Sequence, residues 1–365
     1  MRAFGALMLF ASAMAAAPPA SAAGLEGDVD VQFFPTSARF VPERNEWLLP
    51  VHAWVYSPAE DSAVRALALD GLRRLLDLEP TPDQAPLFKE RAWPFVVDNL
   101  ADREITLQMG GQYFFLERTA ENGHASGELR LPAETAAALS KTPAADGRWL
   151  IYSALTDDAG DDRLLTGKVE LLENRGVSVV SDIDDTIRVS LVGNRRALLE
   201  STFLRRFEAV PGMARLYRRW ADAGAAFHYV SAGPWQLYAP LEQFRIAEEF
   251  PAGSFAMQLF RWKDRSALAF FGKPDEAKRP AIEALLAAYP ERRLICVGDS
   301  GERDPELYAD LARRYPGRIM RIFIRNVSRE ASDGERFRAA FRELPCTLWR
   351  VFDDPRELAE FTFEP

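Results

Sequence analysis

The stretch Val177-Ser-Val-Val-Ser-Asp-Ile-Asp-Asp-Thr-Ile187 decides the fold of the second half of the chain. Its apolar start predicts a buried strand over 177–182. The strand ends in Asp182-x-Asp184-x-Thr186, and carboxylates at the tip of a buried element are costly to desolvate. Side-chain alternation would send Asp182 and Asp184 to one side and Asp185 to the other. That pattern suits a place where a hard cation and a phosphoryl group meet a nucleophile. A calcium loop counted from Asp182 would need glycine at its sixth position and glutamate at its twelfth. The chain has Ile187 and Gly193 there, so an EF-hand is excluded.

Working outward, four further apolar runs read as buried strands: 225–231, 294–299, 319–324 and 347–352. Helices alternate with them. Met213, Leu216, Tyr217 and Trp220 recur at helical spacing, as do Ile282, Leu285, Leu286 and Tyr289, and then Leu307, Tyr308, Leu311 and Tyr315. Such alternation predicts an α/β fold, a mostly parallel sheet with helices on both faces. Ligands of these sheets bind beyond the carboxyl ends of the strands, and here the polar residues gather at those ends.

In this reading Asp182 is the nucleophile and Asp184 the general acid and base. Thr186 fixes the geometry of the loop. The second strand runs into Ser231-Ala232-Gly233-Pro234, where the Ser231 hydroxyl and the following amides of Ala232 and Gly233 would meet a phosphate oxygen. A plainer role for Ser231 is a helix cap, and His228 reads as a packed strand residue. Lys278, preferred to Lys273, would neutralise the phosphate and Asp182 together; a solvated surface lysine is the plainer alternative. The third strand ends in Gly298-Asp299-Ser-Gly-Glu-Arg-Asp304. Asp299 and Asp304 would hold Mg²⁺ together with Asp182 and the Asp184 carbonyl. Four carboxylates without a cation would repel one another.

The first half has a different texture. Short runs at 29–34, 47–56, 105–109, 113–117, 127–131, 149–154 and 164–172 read as strands of a β-sandwich-like domain. Asn122-Gly123 is a hairpin signal. One amphipathic helix interrupts, with Val64, Leu67, Leu72, Leu75 and Leu76 among its apolar positions. The expected division is a signal peptide over 1–23, a sandwich-like domain over 24–174 and a catalytic domain over 175–365. The signal peptide rests on Arg2, the apolar 3–17 and the small residues of Pro18-Pro-Ala-Ser-Ala-Ala23. It would make the protein secreted or periplasmic; a membrane anchor is the other reading, for which the apolar run is short.

The net charge of −9 argues against nucleic acid or an anionic membrane as an electrostatic partner. The three histidines are too scattered for a zinc site. Cys296 and Cys346 read as small core residues rather than as a bridge. Between Ser231 and Lys278 lie Phe255, Leu259, Phe260, Trp262 and Phe270-Phe271 among Arg261, Lys263 and Arg265. That segment reads as a cap over the site, with peripheral contact to a lipid surface as one role for it.

Taken in order, Asp-x-Asp-x-Thr, a strand-end serine, a lysine and Gly-Asp-x-x-x-x-Asp resemble the haloacid-dehalogenase superfamily of phosphatases. The resemblance covers roughly Val177 to the C-terminus. Residues 180–187, Val210-Pro-Gly-Met213, Phe227-His-Tyr-Val-Ser231, Pro234-Trp-Gln-Leu-Tyr238 and Val297-Gly-Asp-Ser-Gly-Glu302 are similar to the catalytic domain of the actin-patch-type phosphatidate phosphatases. The resemblance implies Mg²⁺-dependent removal of phosphate from phosphatidate, a phospholipid, giving diacylglycerol. It also implies the nucleophile, acid/base, phosphate and metal roles named above. A soluble phosphomonoester is the alternative substrate, and a binding protein with a degenerate site the alternative class.

Overall fold

The structure is a computed structural model that describes residues 25, 27, 29–58, 63–142, 145, 147–156, 163–260 and 274–364. The expected signal peptide, Lys273 and most of the aromatic-basic segment (261–273) lie outside these residues. No helix among the described residues is long and apolar enough to cross a membrane.

The first half contains β1 (Asp30–Phe34), β2 (Thr36–Val41), β3 (Glu46–Ser57), β4 (Asp98–Asn99), β5 (Thr106–Met109), β6 (Gln112–Phe115), β7 (His124–Pro132), β8 (Trp149–Ala154) and β9 (Thr166–Leu172), with α1 (Ala63–Leu75), α2 (Ala85–Ala92) and α3 (Ala133–Leu139). The expected sandwich is realised as one hydrogen-bonded sheet of nine strands. Its continuity comes from β3, twelve residues long. That strand pairs with β1 and β2 along one edge and with β7 and β4 along the other. Asn122-Gly123 makes a turn but no hairpin, because β7 pairs with β3 and not with β6. Val31, Leu49, Leu107, Leu131, Leu150 and Val169 meet in one apolar core.

The second half contains β10 (Arg175–Ser181), β11 (Ala226–Pro234), β12 (Ser254–Gln258), β13 (Glu291–Asp299), β14 (Ile319–Arg325) and β15 (Trp349–Phe352), with α4 (Arg195–Phe203), α5 (Met213–Asp222), α6 (Tyr238–Ala247), α7 (Pro274–Ala288), α8 (Asp304–Arg314) and α9 (Glu335–Ala340). The sheet order is β12-β11-β10-β13-β14-β15, with every neighbouring pair parallel. The strand carrying the Asp182 motif is therefore central. Alternation sorts the side chains: Val177, Val179, Phe227 and Val297 pack with Met213, Trp220 and Leu241 of α5 and α6. Val180, Val230, Cys296 and Ile324 pack with Ile282 of α7, Leu307 of α8 and Phe337 of α9. Helices thus cover both faces, as the alternation predicts.

The helical insertion of the first half does not stand apart. Leu72 and Leu76 of α1 and its exit, together with Phe88 of α2, enter the same core as α4 to α6. Each such buried side chain contributes about 1.5–3 kcal/mol. The expected apolar face of α1 is narrower than its sequence, since Val64 and Leu67 are 75% and 73% exposed. Among the described residues neither cysteine is bridged. Cys296 is a core residue as expected, whereas Cys346 is exposed, three residues before β15 begins.

Candidate active site

At the carboxyl end of β10 the backbone stops being extended. The amides of Ile187 and Arg188 both donate to the Ile183 carbonyl, so 183–188 forms a turn. Strand alternation therefore governs Asp182 and no longer governs Asp184. Asp182 continues the face of Val180 and reaches toward α7 and α8. There its Oδ1 lies 2.7 Å from the Lys278 ammonium.

Lys278 is the hub of the site. It has no exposed surface, and its ammonium also meets Glu302 at 2.8 Å and Asp304 at 2.7 Å. Three donors thus find three carboxylates. Burial opposes the charge on Lys278, but Asp182, Asp304 and Glu302 together hold its pKa well above the usual range. Burial raises the Asp182 carboxyl well above its ordinary value; Lys278 pulls it back, while Asp304, Glu302 and Asp299 push it further up. Asp299 is raised by burial and then by Asp304 and Glu302, and Glu302 is raised by burial as well.

Oxygens of Asp182, Asp299 and Asp304 lie within 4.8 Å of one another. Oδ1 of Asp299 accepts the amides of Gly301 and Glu302, at 2.6 and 3.1 Å. Oδ2 of Asp182 and Oδ2 of Asp299 are buried with no hydrogen-bond partner among the described residues. Two orphaned carboxylate oxygens beside a third carboxylate are the donor set that a small divalent cation takes. Gly298 makes room for this cluster, since a Cβ there would lie 2.2 Å from the Asp304 carboxylate.

The two loops are braced from behind. Asp185 adopts a left-handed backbone, φ 56°, and turns its carboxylate onto the amides of Ser190, Leu191 and Val192 at 2.7–3.0 Å. The loop-fixing role expected of Thr186 is thus filled by Asp185. The buried Thr186 hydroxyl has no hydrogen-bond partner among the described residues. On the other side Arg336 of α9 donates to the carbonyls of Ser300 and Glu302 and to the Glu306 carboxylate. That grip holds the loop carrying Asp299 and Asp304.

Ser231 is buried on β11, and its Oγ accepts the Gly233 amide at 3.0 Å. This is a local side-chain turn within β11 and not a helix cap, since the helices that follow have Pro234 and Leu237 at their N-caps and no side-chain cap bond; it leaves the hydroxyl proton available to a ligand. His228 lies in the sheet between Ser254 and Ser178, and burial lowers its pKa to about 3. It is a packed residue, as its place in the strand suggests.

Asp184 is not in the carboxylate cluster. Its Oδ1 accepts from Arg188, through Nε at 3.0 Å and through a terminal nitrogen. Two residues of this neighbourhood were not legible as functional in the sequence. Glu302 stands within the Asp299–Asp304 loop and could have been found by asking which carboxylate faces the lysine. Arg188 carries no such signal, because the turn that folds it onto Asp184 follows no strand or helix spacing.

Residues 177–326 match the family described as phosphatidate phosphatase APP1, catalytic domain. Phosphatidate phosphatase APP1 of Saccharomyces cerevisiae is 32% identical over 162 residues, 43% of this chain and 27% of the yeast protein. An uncharacterized protein of Schizosaccharomyces pombe is 27% identical over 189 residues, 50% of this chain and 31% of that protein. The chain therefore spans under a third of the length of these two curated relatives.

Proposed function

We propose, from the match of residues 177–326 to the APP1-type phosphatidate phosphatase catalytic-domain family, that the chain is a phosphoric monoester hydrolase acting on phosphatidate. The observation that carries this reading is the Asp182 carboxylate. One of its oxygens is gripped by Lys278, and the other is buried and unpartnered beside Asp299 and Asp304.

The donor set fits Mg²⁺, which Asp182, Asp299 and Asp304 would hold, with the Asp184 carbonyl as a further oxygen. When bound, the metal supplies positive charge that lets an anionic nucleophile approach an anionic phosphate. In the step we propose, an Asp182 oxygen forms a bond to phosphorus while the bond from phosphorus to the ester oxygen breaks. Asp184 gives its proton to the departing alkoxide, which leaves as the alcohol of diacylglycerol. Water then attacks the aspartyl-phosphate, Asp184 takes back a proton, and inorganic phosphate departs. Lys278 neutralises charge on Asp182 and on the transferred group, and the Ser231 hydroxyl with the Ala232 amide would bind a phosphate oxygen, the expected Gly233 amide being already given to Ser231 Oγ. The parallel sheet with Asp182 on a central strand, Ser231 on one neighbour and Asp299 on the other supports a haloacid-dehalogenase-type arrangement.

The test is phosphate release from phosphatidate in mixed micelles and from a soluble phosphomonoester, each with Mg²⁺ and with EDTA, and with Asp182→Asn as blank. Mg²⁺-dependent release favouring the micellar lipid is expected. Release unchanged in Asp182→Asn would overturn the nucleophile, and preference for the soluble ester would overturn the lipid assignment alone.

A further inference from the structure

Arg188 is 3% exposed, although it carries a full charge and lies outside the carboxylate cluster. Among the described residues its anionic partner is Asp184, and both contacts go to the same oxygen, Oδ1. An arginine that engages one oxygen through two nitrogens fixes the position of that oxygen and leaves the carboxylate's second oxygen for other work. What holds Arg188 is equally specific. Its guanidinium donates to the Thr202 hydroxyl at 3.3 Å and lies 4.2 Å from the centroid of the Phe207 ring.

Thr202 and Phe207 are in turn held from the first half of the chain. Arg91 of α2 donates to the carbonyls of Thr202 and Arg205, at 2.5 and 2.6 Å. Its guanidinium lies 3.7 Å from the same Phe207 centroid. Two like charges meet at one ring, and burial, with this repulsion added to it, lowers the Arg91 pKa to about 10. Phe88 and Phe95 of the same insertion pack against Phe203 of α4 and complete the support.

We infer that Arg188 is a positioning residue for the acid/base group Asp184, and that Arg91 of the first half positions Arg188 through Thr202 and Phe207. The insertion of the first half is thereby part of the catalytic unit. This rests on the reading of Asp184 as general acid.

The experiment compares kcat/KM for phosphatidate, whose alkoxide leaving group needs a proton, with that for p-nitrophenyl phosphate, whose phenolate leaves unprotonated. Full-length Asp184→Asn, Arg188→Met, Arg188→Lys and Arg91→Met are assayed with Mg²⁺. Arg188→Met is expected to lose roughly 10²-fold on phosphatidate, the lower range of general-acid effects, and much less on the aryl ester. Arg188→Lys should recover part of that selective loss, and Arg91→Met should show the same selectivity at smaller amplitude. If Arg188→Met fails to fold, the selectivity is read from Arg188→Lys and Arg91→Met. Selective loss in Asp184→Asn with uniform or no loss in the arginine variants overturns this inference alone. Uniform loss in Asp184→Asn overturns the acid assignment and this inference with it.

Discussion

The Lys278 ammonium and the Asp182 carboxylate meet at 2.7 Å with no exposed surface on the lysine and 1% on the aspartate. A buried pair of this kind seldom adds net stability, but breaking it is expensive. Here the lysine also serves Glu302 and Asp304, so the site holds more negative than positive charge. The excess explains why burial and its carboxylate neighbours outweigh Lys278 and leave the Asp182 pKa raised.

Asp182→Asn should therefore separate activity from folding. Turnover on the preferred ester should fall by roughly 10⁴-fold or more, as when a nucleophile is removed from a catalytic unit. The melting temperature in EDTA should equal or exceed that of the wild type, because a neutral amide relieves the carboxylate crowding. Calorimetry showing a large loss of stability would mean that the lysine needs the Asp182 charge more than its other two partners.

Lys278→Met should do the opposite. Three carboxylates would lose their buried cation, at a cost of about 3–5 kcal/mol in EDTA. Mg²⁺ should return part of that loss by binding the folded state alone. Urea unfolding with and without the metal reads both effects, and unchanged stability in EDTA would refute the hub role.

Gly298→Ala tests the close approach of β13 to α8. The added Cβ would lie 2.2 Å from Oδ2 of Asp304 and 2.7 Å from its Cβ and Cγ. Asp304 begins α8 and cannot swing away without moving the helix start. A stability cost of about 1–3 kcal/mol is expected from overpacking, with Mg²⁺ affinity weakened at least tenfold. Titration calorimetry that finds wild-type metal affinity would show that Asp304 does not contribute to the metal site.

How much of this was legible beforehand follows from where packing obeys a simple period. The central strands β10, β11, β13 and β14 are buried on both faces and announce themselves as apolar runs. Edge strand β12 reads Ser-Phe-Ala-Met-Gln and is only alternately buried, so it passes for loop. The same holds for β2, whose burial pattern is mostly intermediate. Asp182, Lys278, Asp299 and Asp304 were recoverable because strand tips and helix starts converge at the carboxyl end of the sheet. Asp185 and Arg188 act from a turn, one through a left-handed residue and the other through a fold-back of four residues. Neither conformation follows from alternation, and this is where the sequence-based assignment of roles departs from the structure.

Acid should weaken the junction between the two halves through histidine. His52 of β3 and His124 of β7 share a hydrogen bond of 2.9 Å, with Phe34 and Trp235 against them. Burial, and for His52 also the neighbouring His124, lowers their pKa values to about 3 and about 4. Both imidazoles stay neutral in the fold, while in the unfolded chain they take up protons near pH 6.5. The unfolded state then binds more protons below that pH, so stability present above pH 6.5 is lost as the pH falls toward 4. At pH 5 the loss is roughly 2 kcal/mol for each such histidine. Buried carboxyls act in the other direction: Glu170, raised by burial to about 7, favours the fold below that pH. The histidine share is isolated by comparing the wild type with His52→Gln. Unfolding free energies at pH 7 and pH 5 should differ by about 2 kcal/mol less in the variant. An unchanged difference would mean that His52 is not held neutral, and that acid lability arises elsewhere in the chain.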